Sequence, residues 1–164
     1  APESPRTETR PIRGWSSWYH AYHLISEDYI MKALNAAKGV VKQYDLPLDV
    51  FQIDAGHYTE KGDWLKAIPE FPDGIKPVIK KIKDAGFIPG IWISPFSVGN
   101  RSELFSNHPE WVLHDKKTGK PKTVSEWYGE HRLWAHRSEE YYVLDITHPK
   151  AFEYIRNLLF FILV

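Results

Sequence analysis

Apolar and polar positions along this chain follow two rhythms. Val50-Phe51-Gln52-Ile53 is a short apolar run that stops on Asp54, with Gly56 two residues on. Such a run suits a strand covered on both faces, as in a parallel sheet, and the glycine permits a turn that a side chain resists. Phe87-Ile88-Pro89-Gly90-Ile91-Trp92-Ile93-Ser94-Pro95 reads as another strand, and Gly14-Trp15-Ser16-Ser17-Trp18-Tyr19 as a third that ends on aromatic residues. Between them the period lengthens to that of a helix. Ile30, Leu34, Ala37 and Val41 share one face, with Ser26 as N-cap and Ile25 and Ile30 placed for a hydrophobic staple. Asp45-Leu46-Pro47 ends that helix, because the residue before proline resists the α region. Ile75, Val78, Ile79 and Ile82 form the stripe of a second helix, opening at Asp73 and stopping at Gly86. From Phe96 to about Arg137 the chain is polar and carries Trp111, Trp127 and Trp134; a stretch this long predicts a function or small elements of its own. Tyr141 to Asp145 reads as a short extended piece. Thr147 and Pro149 then start a third helix with Phe152, Ile155, Leu159 and Ile162 on one face.

The order is therefore β-α-β-α-β, a long loop, then α. Trp18, Asp54 and Trp92, at the three strand ends, are 36 and 38 residues apart by number. Units of this size predict a parallel sheet with right-handed crossovers. Two closures are open, a doubly wound sheet or an eight-stranded barrel. The glycine-rich phosphate fingerprints that would favour nucleotide binding are absent. On the barrel reading the fold is α/β, an incomplete (β/α)8 TIM barrel holding the first three βα units. A whole barrel takes about 250 residues. Residues 1–12 read as a lead or linker; on the same barrel reading 13–164 are the N-terminal portion of the barrel, truncated before the fourth strand. The closing run Leu158 to Val164 is too short to cross a bilayer and reads as a helix cut off mid-course. Unpaired strands at both ends of part of a barrel predict self-association into a homo-oligomer, and a missing remainder of the barrel as natural partner.

Composition narrows the function classes. The 21 basic and 21 acidic residues balance to zero, which argues against nucleic acid or an anionic membrane as partner. Without cysteine there is neither a disulfide framework nor a thiolate zinc site, and the absence does not identify a compartment. The lead lacks a signal-peptide core, which leans towards the cytoplasm. Seven tryptophans in 164 residues are unusual, and flat apolar rings suit sugar faces as well as cores. On the barrel reading, Trp18, Asp54 and Trp92 stand at carboxyl ends of strands, where barrel enzymes work. Two rings flanking a carboxylate fit a sugar: the rings meet C–H groups and the carboxylate accepts from hydroxyls. Trp15 reads as core. His20 and His23 are three apart and His57 is three after Asp54, but no further ligands converge, so neither a metal nor a cofactor is expected. His131 and His136 fall in polar sequence and read as solvated. Ser16, Ser17 and Ser94 lack the context of a nucleophile elbow.

Six motifs in order carry a family resemblance. They are Gly14-Trp15-Ser16-Ser17-Trp18-Tyr19-His20, Phe51-Gln52-Ile53-Asp54, Gly62-Asp63-Trp64, Phe71-Pro72-Asp73-Gly74-Ile75-Lys76-Pro77, Gly86 to Phe96, and His108-Pro109-Glu110-Trp111. Together they resemble the melibiase-type α-galactosidases of glycoside hydrolase family 36, from about Arg13 onward. The resemblance implies a retaining glycosidase on a (β/α)8 barrel, with one carboxylate as nucleophile and another as acid and then base. It implies that Trp18 and Trp92 line a galactose pocket and that Asp54 binds sugar hydroxyls. Tyr19, His57 and Trp64, in or beside the same motifs, complete the substrate-binding set. It also places the nucleophile on the next strand and the acid/base later still, so neither is expected within residues 1–164, and this stretch alone is expected to be inactive. The substrate class implied is an α-galactoside of the melibiose or raffinose type. One departure stands out: the family commonly has a second Asp after Asp54, and here it is Ala55. That keeps open a relative acting on another α-linked sugar or transferring galactosyl groups, and a non-catalytic sugar-binding barrel. A barrel enzyme of another class, such as a sugar-phosphate isomerase, would need a phosphate loop beyond this stretch.

Overall fold

The structure, a computed structural model, describes residues 11–124 and 138–163. Trp127, Trp134, His131 and His136 of the sequence reading, and most of the lead, lie outside the described residues. Three short strands, β1 (Gly14–Ser16), β2 (Val50–Ile53) and β3 (Ile88–Ile91), pair in parallel in the order β1-β2-β3. The register sets Ser16 beside Gln52 and Gln52 beside Gly90. The crossovers are α2 (Glu27–Tyr44) and α3 (Ile75–Asp84), preceded by a four-residue turn of helix, α1 (Trp18–Ala21). The protein is thus α/β around a small parallel sheet. β1 is shorter than its sequence suggests: it stops at Ser16, and Trp18 opens α1 instead of ending the strand.

Local rules account for the crossovers. Ser26 caps α2, its Oγ accepting from Tyr29 N–H at 3.1 Å, with Glu27 and Asp28 in the first turn to meet the positive end of the helix dipole. The helix ends at Asp45, which takes the left-handed conformation at φ 50°. α3 starts at Ile75 rather than Asp73, because Gly74 stands outside the helix as its cap and the next residues are the first with helical dihedrals. Both helices bury their stripes on one side of the sheet. Ile30, Leu34, Val78 and Ile82 enclose Phe51 and Ile53 there, all nearly inaccessible. By alternation the opposite side carries Gly14, Ser16, Val50, Gln52, Ile88 and Gly90. None of these is buried: Ser16, Val50, Gln52 and Gly90 are partly buried, Gly14 is exposed and Ile88 is 59% exposed.

The rest of the chain builds a second core beyond the carboxyl ends of β2 and β3. The sequence shows Ser97–Gly99 no periodicity, yet it forms β4, pairing antiparallel with β5 (Tyr141–Val143). The extended piece at Tyr141 therefore lies outside the parallel sheet. A short helix, α4 (Glu103–Asn107), and a 3-10 turn at Pro109–Trp111 follow β4, and α5 (Pro149–Leu163) packs across the assembly. Its buried face is Ala151, Ile155 and Leu158, with Ile162 partly buried. Phe152 and Leu159, expected inside, are exposed; the helix is apolar on several sides, so spacing alone could not select the stripe.

Candidate functional site

The carboxyl ends of the three parallel strands bring Trp18, Asp54 and Trp92 together. Trp92 directly follows β3, and its N–H donates to the carbonyl of Ile53, the residue before Asp54, at 2.9 Å. On the other flank Ser17 N–H donates to Gln52 O at 3.2 Å, and Asp54 N–H donates to Ser17 Oγ at 2.9 Å. Adjacent strands are about 4.8 Å apart, so the three residues occupy neighbouring places along one edge.

The Asp54 side chain is partly buried and firmly held. Its Oδ1 accepts from Ala55 N–H at 2.8 Å. Its Oδ2 accepts from Gln52 Nε2 at 2.8 Å and from Ser16 Oγ at 3.2 Å. Two of these donors are side chains that the sequence left unassigned. The one signal available for them was their spacing, since residues two apart on a strand share a face, as Gln52 and Asp54 do.

The rings are braced from behind. Trp92 lies 6.3 Å from Tyr58 in near-parallel orientation and 6.3 Å from Trp64 edge-on, and Tyr58 meets Trp64 at 4.6 Å. Trp64 and Tyr58 are buried, at 2% and 1% exposure, while Trp92 keeps part of its surface open. Trp18 is also half-buried, with the Tyr22 ring edge-on at 5.4 Å. Tyr19 is 86% exposed and points away from the packing. His57 is 1% exposed, its Nε2 within 3.2 Å of the Trp92 carbonyl and its ring edge-on to Tyr58. Of the six expected ligand-binding residues, then, three line the strand ends, one stands clear in solvent, and His57 and Trp64 present almost no surface. His20 pairs with the Tyr29 hydroxyl at 2.9 Å, and no group of three or more metal-ligating side chains converges among the described residues.

The Gly62-Asp63-Trp64 motif has a local explanation. Asp63 caps α4, its two oxygens accepting from Glu103 N–H at 2.8 Å and Leu104 N–H at 3.0 Å. The Tyr154 hydroxyl on α5 donates to Gly62 O. Burial and then the Asp63 charge push the Tyr154 phenol well above its usual range. Further out, Glu60 is buried at 5% exposure; its Oε2 accepts from Ser138 N–H at 2.7 Å and its Oε1 from Lys61 N–H at 2.8 Å. Gly99 lies against this anchor. A Cβ there would stand 2.2 Å from Ser138 Oγ and 2.7 Å from Glu60 Oε1.

Known proteins resemble this chain along most of its length. The sequence profile described as Melibiase matches residues 3–164. An alpha-galactosidase of Escherichia coli is 29% identical over 158 residues, covering 92% of this chain and 19% of that protein. The structure of TtGalA, an alpha-galactosidase from Thermus thermophilus in complex with stachyose, superposes with a TM-score of 0.78 at 31% identity, covering 93% of this chain and 30% of that one. An alpha-galactosidase from Lactobacillus brevis superposes at 0.68 with 27% identity, over 93% of this chain and 18% of its own. The chain spans less than a third of each of these relatives, and within that span the profile, the sequence identities and the shared fold agree. This chain belongs to the melibiase family.

Proposed function

We propose that the protein carrying this chain hydrolyses α-galactosides with retention, and that the chain supplies the wall that holds the sugar. The observation that carries this reading is Asp54, fixed between two half-open tryptophans at the carboxyl edge of a parallel sheet. Trp18 and Trp92 would meet the C–H faces of a galactose ring while Asp54 accepts from its hydroxyls. His57, Trp64 and Tyr58 would act through Trp92 by fixing its backbone and ring. Tyr19, exposed beside Trp18, would meet the part of a longer saccharide that extends outward. The substrate class follows from the relatives, one of which is solved with stachyose and also with p-nitrophenyl alpha-D-galactopyranoside.

The same reading treats residues 13–164 as the opening portion of a (β/α)8 barrel. Two successive crossover helices on the same side of the sheet support a barrel over a doubly wound sheet, which places helices on both. The outer edge of β1 supports it too. There a cleft of about 790 Å³, lined by Trp15, Tyr29, Ala33, Ala37, Val41 and Leu48, offers an apolar seat of the kind that the closing βα unit of a barrel fills. On this reading the nucleophile and the acid/base lie outside residues 1–164, and this stretch alone turns over no substrate.

Asp54→Asn in the full-length protein tests the assignment. It should raise KM for a nitrophenyl α-galactoside roughly 10- to 100-fold, the range of a lost charged hydrogen bond, while the protein still folds cooperatively. Unchanged kinetics would leave Asp54 as an ordinary strand-end carboxylate. Ala55, 4% exposed within the second core, favours a second reading. A methyl in place of a carboxylate leaves one fewer hydroxyl acceptor at the strand end. A higher kcat/KM on another α-linked nitrophenyl sugar than on the galactoside would favour that alternative.

A further inference from the structure

Asp54 accepts three hydrogen bonds from the protein, and their distribution between its oxygens is unequal. A carboxylate offers about four acceptor directions, two on each oxygen. Gln52 and Ser16 occupy both on Oδ2, and Ala55 N–H occupies one on Oδ1. Among the described residues one direction remains, on Oδ1.

The arrangement that fills Oδ2 runs across all three strands. Gln52 sits on the central strand, paired with Ser16 on one side and Gly90 on the other. Its side chain lies close over Gly90. A Cβ at that position would stand 3.0 Å from Gln52 Cβ and 3.2 Å from Gln52 Cγ, tighter than side chains ordinarily pack. With β3 bare at this point, Gln52 reaches Asp54. Ser16 has a second contact as well, its Oγ accepting from Trp18 N–H at 3.4 Å. One hydroxyl thus touches both the Asp54 carboxylate and the backbone of the ring beside it.

We infer that Ser16 and Gln52 are the positioning residues of this site: they saturate Oδ2, keep the carboxylate in one orientation, and leave Oδ1 as the oxygen that takes a single sugar hydroxyl. The inference rests on the reading of Asp54 as a sugar-holding residue and deepens it. It makes Asp54 a one-hydroxyl acceptor rather than a bidentate clamp.

The test is a double-mutant cycle in the full-length protein, with a nitrophenyl α-galactoside as probe. Gln52→Met keeps the volume and removes the donor; Ser16→Ala removes the hydroxyl and Ser16→Thr keeps it. Gln52→Met and Ser16→Ala should each raise KM roughly 10-fold with a smaller change in kcat, and Ser16→Thr should recover most of that loss. In an Asp54→Ala background neither substitution should add anything, because the group they position is gone. The same factor in both backgrounds would overturn the inference, since residues of merely structural value act whether or not Asp54 is present. No effect of either substitution in the wild-type background would overturn it too. An Asp54→Ala variant with wild-type KM would instead remove the reading on which the inference stands. Should Gln52→Met fail to fold, the Ser16→Ala and Ser16→Thr pair decides alone.

Discussion

Phe51 and Tyr58 are seven residues apart and equally inaccessible, yet the cores they join are assembled by different means. Around Phe51 the partners come from helices and strands whose spacing follows simple periods, and almost every inward residue is aliphatic or aromatic. Around Tyr58 they come from loops, a two-stranded pair and one helix face, tied by single polar anchors such as Glu60, Asp63 and Tyr154. The first core draws on area removed from water. The second adds satisfied buried polar groups, and losing either partner of such a bond leaves the other unpaired. The half-buried rings of Trp18 and Trp92 lean on this second core, while Asp54 is held from the parallel sheet, so the candidate site straddles the two.

The sharpest way to break the contrast is in the sheet. Phe51→Ala removes a fully buried ring that stacks on Trp15 at 4.2 Å between centroids, and should cost about 3–5 kcal/mol by urea unfolding. Because the second core is built on the ends of β2 and β3, hydrogen exchange should show both cores losing protection. Gly99→Ala is the converse. Its methyl would collide with Ser138 Oγ and Glu60 Oε1, at a cost of about 1–3 kcal/mol. Amides of β4 and β5 should lose protection while those of α2 and β2 keep theirs. Equal loss in both places would mean that the two cores form one cooperative unit and that the contrast is only descriptive.

The smallest effect at neutral pH comes from Tyr142. Burial, followed by its hydrogen bond to Glu140 and the charge there, pushes its phenol up to about 12. Tyr154 in the same core is raised as well, by burial and then by the Asp63 charge. A raised tyrosine is neutral in the fold when the unfolded chain has begun to ionise, so its contribution is complete below about pH 10. It is lost as pH rises from there towards 12. Tyr142→Phe should cost about 1 kcal/mol at pH 7, one hydrogen bond, and should flatten the alkaline decline in melting temperature. An unchanged alkaline slope would show that Tyr142 does not link this core to pH.

The same contrast explains what the sequence made legible. Ser26, Ile30 and Leu34 announce α2 because a cap and a stripe are local properties, and three parallel strands follow from the 36- and 38-residue rhythm. Asp54 was visible because it ends an apolar run, and Trp18 and Trp92 because they stand at similar intervals on either side of it in β-prone sequence. Ser16 was not, since its role depends on a register between strands that no single segment contains, and Gln52 left only its two-residue spacing from Asp54 as a signal. Ser97–Gly99 was unreadable as a strand because three residues hold no period, and Glu60 because its partner is 78 residues away. On α5, apolar residues at Phe152, Leu159 and Phe160 blurred the face, and only the packing of Ala151 and Leu158 resolved it.

The bond from the Tyr154 hydroxyl to Gly62 O spans 92 residues, and it bears on how the chain is made as well as how it stands. During synthesis β1, β2 and β3 have all been made once Ile91 is added, so these three strands and the two helices between them have their parts early. Tyr154 follows 63 residues later, counted from 91 to 154. At roughly 5–20 residues per second that is a delay of about 3 to 13 s. For that interval the Tyr58, Trp64 and Trp92 rings are already made, while the α5 residues that pack into the same core, Tyr154 among them, are still to come.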